Sequence, residues 1–169
     1  MINWAYFPQS DKPPEMVVKV VTMFKGFAEE IDSHTHDKQV SNEVLSKISR
    51  GLIELGFQVE TGKTKDEKIR IPVLFGRNGV VEKSFEADAY HPIEELVLEI
   101  EAGRGVANYQ FLKDLFQAAM MQDVRYLGIA VRNLYRSSKD FEKVFMFFDT
   151  LYKSHRLSLP LQGILIIGY

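Results

Sequence analysis

The chain has no cysteine. That excludes a disulfide scaffold, a Cys-ligated zinc or iron–sulfur site, and a thiol nucleophile. Long hydrophobic runs are also missing. Stretches such as Val144–Phe148 fall far short of the ~18 apolar residues of a membrane span. The first residues, Met1 to Pro8, are aromatic but lack a basic segment followed by an apolar one, so no targeting signal is expected. Neither charge sign is in excess: 21 Lys+Arg face 23 Asp+Glu, a formal net charge of -2. A basic nucleic-acid tail and a polyanionic segment are thereby excluded. No repeat, low-complexity tract or linker is visible.

What is present suits a globular domain. The 169 residues match the prior of about 100–200 per domain. With 46% hydrophobic and 26% charged residues, the chain has enough apolar surface for a core and is not a disordered composition. The expectation is one soluble, cytoplasmic domain over 1–169, with 1–14, rich in proline, as an irregular arm.

Periodicity predicts the order α-α-β-β-β-β-α-β-α-β, a mixed sheet flanked by helices and an α/β fold. Val17, Val20, Val21, Phe24 and Ile31 predict a helix over 15–31. Val44, Leu45, Ile48, Leu52 and Leu55 predict a second, with Ser41 as its N-cap and Gly56 as its C-terminal cap. Strands are expected at 57–61, 69–75, 80–90 and 95–102, with Asn78-Gly79 as a hairpin turn. Gly103-Arg104-Gly105 opens a helix with Val106, Tyr109, Leu112, Leu115, Phe116, Ala119 and Met120 as its apolar set. A strand at 125–131, a helix carrying Phe141, Val144, Phe145, Phe148, Leu151 and Tyr152, and an apolar strand at 161–169 complete the chain.

Two acidic residues do not belong to a wet helix surface. Glu99 and Glu101 interrupt an otherwise apolar strand, Leu96-Val97-Leu98-Glu99-Ile100-Glu101. Side chains alternate along a strand, so both carboxylates share a face with Val97. Like charges so placed repel unless a cation or a proton lies between them. Asp88 stands in the strand before, within Phe85-Glu86-Ala87-Asp88-Ala89-Tyr90, and approaches Glu99 if the turn at His91-Pro92 folds the two strands together. Converging carboxylates suit a hard divalent cation, Mg2+ with Mn2+ as a substitute. The competing explanation is the wet face of an antiparallel sheet.

These residues resemble the motif of the PD-(D/E)XK nuclease superfamily, the restriction endonuclease-like fold. The resemblance spans roughly residues 40–135, with Asp88 as the motif Asp, Ala87 in place of the Pro, and Glu99-Ile100-Glu101 as the tripeptide. Glu43, thirteen residues before Gly56-Phe57, matches the Glu often found on the family's first core helix. The resemblance implies a metal-dependent endonuclease that hydrolyses DNA phosphodiester bonds, a restriction or defence enzyme acting as a homodimer, with no membrane and no organic cofactor. It implies Asp88 and Glu99 as metal ligands, and Glu43, Asp88, Glu99 and Glu101 as catalytic. One departure is plain: Glu101 stands where the family has Lys. Either Lys63, Lys65 or Lys68 supplies the charge from elsewhere, or the domain is a catalytically silent module binding nucleic acid or protein.

Other features are weaker. Arg104 is placed to contact a DNA phosphate. Arg125, Arg132, Arg136 and Lys139 form the densest basic group, equally compatible with a nucleic-acid backbone and with a solvated surface. His34-Thr35-His36-Asp37 has metal-ligand residue types but reads better as a solvated loop at a helix end.

Overall fold

Strands covered on both faces read as continuous apolar runs, and two segments late in the chain have that character: β7 (Tyr126–Val131) and β8 (Gly163–Gly168). Both are interior strands of a six-stranded mixed sheet ordered β1-β8-β7-β6-β5-β2. Its other members are β1 (Asn3–Phe7), β2 (Gln58–Val59), β5 (Ala89–His91) and β6 (Leu96–Glu101). β6, β7 and β8 run parallel; β1, β5 and β2 join antiparallel to β8, β6 and β5 respectively. The structure is a computed structural model that describes residues 1–103 and 106–169.

Among the described residues, five α-helices sandwich the sheet. On one face lie α1 (Glu15–Gly26), α2 (Ala28–Ile31) and α3 (Ser41–Glu54), packed with Leu96, Leu98 and Ile100 of β6. On the other lie α4 (Gln110–Met120) and α5 (Asp140–Ser154), with Val97 among their contacts. This is the arrangement expected when each parallel strand returns through a helix on the same side. Burying a side chain such as Leu98, which has no exposure, contributes roughly 1.5–3 kcal/mol. A separate hairpin of β3 (Ile69–Phe75) and β4 (Val81–Ala87) covers the α4 face, through Ile71 and Ala87. Gly56 caps α3 with φ 99. Its N–H donates to Ile53 and that of Phe57 to Leu52, a Schellman pair that only a left-handed residue permits.

The mixed α/β expectation is met, and four details of the reading change. The arm over 1–14 contains β1, because the outer edge of β8 needs a partner and Asn3 to Phe7 provide one, in register from Asn3↔Gly168 to Phe7↔Ile164. The helix over 15–31 divides at Phe27. The strand over 80–90 divides at Asp88, where the chain leaves the hairpin and enters the main sheet. α4 starts at Gln110 and turns a different face inward: Phe111, Asp114, Leu115 and Ala118 are buried, while Tyr109, Phe116 and Met120 are exposed. Apolar residues surround that helix almost completely, so their spacing did not select a face. Among the described residues, no helix is long and apolar enough to cross a membrane.

Candidate active site

The division at Asp88 has a consequence for its side chain. The β5–β6 ladder ends at Ala89↔Leu98, so one step further Asp88 faces Glu99. There the side chain takes over from the backbone: Asp88 Oδ2 accepts the Ile100 N–H at 2.7 Å. Its own carbonyl accepts the Glu60 N–H at 2.8 Å. Asp88 is therefore held by two elements at the seam of the two sheets.

Alternation along β6 points Glu99 and Glu101 toward α4, away from Leu98 and Ile100. α4 answers with Asp114, only 4% exposed. Asp88, Glu99, Glu101 and Asp114 line one cavity of about 210 Å³ together with Glu60, Glu86, Lys68 and Lys113. Six acidic residues thus meet two lysines. Lys68 is engaged by Glu60 at 2.7 Å and Glu86 at 3.7 Å. Among the described residues, no ion pair within 4.0 Å involves Lys113.

Burial is the main force on the four central carboxyls, and the neighbouring negative charges add to it. Asp88 is pushed up to about 6 by burial, with Glu60 and Asp114 adding and the Ile100 N–H opposing. Burial likewise raises Glu99 well above the carboxylate range, helped by the charge of Asp88. Glu101 rises to about 8 through burial and the adjacent Asp114. Asp114 rises to about 6 by burial, opposed by Lys113 and by hydrogen bonds from Glu101 and Gln110. Gln110 donates to Asp114 Oδ1 at 3.2 Å. The buried Oδ2 has no donor unless Glu101 itself carries a proton.

Oxygen-only donors, raised carboxyls and an orphaned buried oxygen form a donor set that fits a hard cation such as Mg2+. Among the described residues, no three His, Asp or Glu side chains are grouped to hold one ion. Mg2+ does not require three; it is usually bound through one or two carboxylates, with waters and phosphate oxygens filling the remaining positions.

Glu43 does not join this cavity. Its exposed carboxylate accepts the Val40 N–H at 3.1 Å, reaching back over its own helix start as a Glu at the third helical position does. Val40 has no hydroxyl to reciprocate, so this is half of a capping box. Ser41, expected as the N-cap, is the first helical residue and lines the cavity instead. Lys63 and Lys65 are exposed and do not line the cavity, whereas Lys68 does. Arg104 lies outside the described residues. The His34–Asp37 loop shows no metal geometry: His36 Nε2 bonds the Glu29 carbonyl at 3.1 Å.

Three lining residues were not singled out from the sequence. Asp114 carried a signal: with Phe111, Leu115 and Ala118 it forms one face of α4, and an acid in an apolar stripe asks for an explanation. Glu60 and Lys113 carried none, since each belongs to an ordinary polar position until the cavity is seen. No family model, curated protein or solved structure matches the chain.

Proposed function

We propose that the protein is a metal-dependent endonuclease of the restriction endonuclease-like fold, hydrolysing DNA phosphodiester bonds. The observation that carries this reading is the convergence of Asp88, Glu99, Glu101 and Asp114 on one cavity, where four crowded carboxyls are costly without a cation. Asp88 and Glu99 would hold Mg2+, or Mn2+ in its place, and such an ion would supply a bound water of lowered pKa and polarisation of the scissile phosphate.

The chain's own residues do the rest. Glu101, raised to about 8 in the absence of a cation, takes the proton of the attacking water, a task that favours a pKa near the working pH. Asp114, itself held by the Gln110 amide, lies beside Glu101, and Glu101 acts as a base once a cation displaces the proton the two share. The charge that a motif Lys supplies elsewhere comes from Lys113, one residue before Asp114 on α4 and free of any ion pair. Lys68 steadies Glu60 and Glu86. Each chain carries one such site, so a double-strand cut takes two copies, which supports a homodimer. The second reading, a silent binding module, is favoured by one observation, the Glu at position 101.

The test is incubation of plasmid DNA with Mg2+, wild type beside Asp88→Ala. Wild type nicks or linearises the plasmid, EDTA stops it, and Asp88→Ala lowers the rate at least about a hundredfold. Equal cutting by the variant would refute the assignment.

A further inference from the structure

A larger cavity lies elsewhere, and its walls carry the opposite charge. It encloses about 670 Å³ off the carboxyl ends of β6, β7 and β8, lined by Ala102 and Gly103, by Lys38 and Gln39, and by Arg132, Tyr135 and Arg136. In open α/β sheets the crevice beyond the carboxyl ends of parallel strands is where ligands bind.

Arg132 is 3% exposed. It donates to the carbonyls of Asp37 and Gln39, and its guanidinium carbon sits 5.4 Å from the Tyr135 ring centroid. Arg136 sits at the same 5.4 Å from that ring, so one aromatic ring organises two cations. Among the described residues, no carboxylate pairs with Lys38, Arg132 or Arg136 within 4.0 Å. Asp37 is the one acidic residue on the wall. A buried arginine is costly unless its charge is compensated; the charge of the buried Asp140 nearby offsets part of that cost for Arg132, and an anion in the cavity offsets more. Gln39 Oε1 is also buried without a partner. Gly103 completes the wall with φ 128, and a Cβ there would lie 2.7 Å from the Tyr135 ring.

The basic cavity adjoins the acidic one. Ala102 lines the first and Ser41 the second, and the Ala102 N–H donates to Ser41 Oγ at 3.0 Å. That single bond is a shared wall. The grouping read from sequence does not survive intact: Arg125 sits at the opposite end of β7, paired with Glu95, while Arg132 and Arg136 stand here.

We propose that the cavity off the carboxyl ends of β6, β7 and β8 is a phosphate subsite for the DNA strand on which the carboxylate cluster acts, with the exposed cations Lys38 and Arg136 meeting a backbone phosphate that flanks the scissile one. It rests on the nuclease reading for the identity of the strand. Arg132 is the positioning residue, fixing the 37–39 loop and the Tyr135 ring.

The experiment measures binding of a short fluorescein-labelled duplex DNA by anisotropy across a salt series, with Ca2+ replacing Mg2+. It compares wild type, the double variant Lys38→Gln/Arg136→Asn and the control Lys25→Gln, an exposed position on α1 that lines neither cavity. Asn suits the φ of 54 at position 136, and both sites are exposed, so thermal melting stays unchanged. The double variant is expected to bind about tenfold more weakly, with a slope of log affinity against log salt shallower by about 1. The control matches wild type. An affinity and slope equal to wild type overturn the subsite, as does a wild type that binds inorganic phosphate but no duplex. Plasmid cleavage with Mg2+ on the same preparations separates the two readings. Cutting with unchanged binding sinks the subsite alone. Absent cutting with the binding loss retained sinks the nuclease and leaves a nucleic-acid-binding cavity.

Discussion

Two cavities share the wall between Ser41 and Ala102, and they are built by opposite means. The acidic one is small, about 210 Å³, and its central groups are buried carboxyls. The basic one is about 670 Å³ and presents exposed cations around a single buried arginine. Crowded buried acids respond by keeping protons, and their pKa values rise. A guanidinium does not lose its proton in proteins, so the basic cavity keeps its charge and satisfies it with carbonyls and an aromatic ring. The charge of the first depends on pH; the second holds a permanent field.

The largest effect that sharpens this contrast is on pH-dependent stability. Below about pH 4 the four carboxyls are protonated in both folded and unfolded chains. Above that, the unfolded chain loses its protons first, because the folded pKa values are raised to about 6 for Asp88 and Asp114 and about 8 for Glu101. The folded state then binds more protons, so stability falls as pH rises through that window. The groups titrate together rather than singly. Melting in EDTA should show a loss of a few kcal/mol between pH 5 and pH 9, and Mg2+ should restore most of it at the alkaline end. A melting temperature that climbs with pH in EDTA contradicts the buried cluster. Asp114→Asn removes one of these charges and should flatten the profile by on the order of 1–2 kcal/mol at pH 8.

A smaller effect separates the two lysines of the acidic cavity. On the nuclease reading, Lys113→Met should slow plasmid cleavage about tenfold or more, since among the described residues its ammonium lines the cavity without an ion pair. Lys68→Met should cost less in rate and more in stability, because it removes the 2.7 Å partner of Glu60, while Glu86 keeps Arg70. Equal rate losses for the two would remove the distinction drawn between them.

Smallest is the wall itself. Ser41→Ala deprives the Ala102 N–H of its acceptor and should cost about 1 kcal/mol in chemical denaturation. The change touches neither the carboxylates nor the basic side chains, so metal affinity should stay close to wild type. A large loss of metal binding would mean that the two cavities are coupled more strongly than one hydrogen bond allows.

Much of the acidic cavity was legible along the chain. The alternation of β6 placed Glu99 and Glu101 on one face, and the turn at His91-Pro92 brought Asp88 opposite Glu99, because a two-residue period and an antiparallel return are local matters. Glu43 misled for an equally local reason: a Glu at the third helical position has its own helix start to cap. The inward face of α4 was not readable, since Phe111, Leu112, Leu115, Phe116, Ala118, Ala119 and Met120 offer several stripes. Packing against β6 and the β3–β4 hairpin chose the stripe containing Asp114.

What the sequence determined by itself is therefore most of the helices and strands and the side of each strand that a residue occupies. These follow from short-range geometry, and the mixed α/β class follows from them. Tertiary structure alone decided that β1 closes the edge of β8, that Asp114, Glu60 and Lys113 join Asp88 and Glu99, and that Arg125 parts from Arg132 and Arg136. Each of these depends on which surfaces remain to be covered once strands and helices assemble, and that is a property of the whole fold rather than of any stretch of chain.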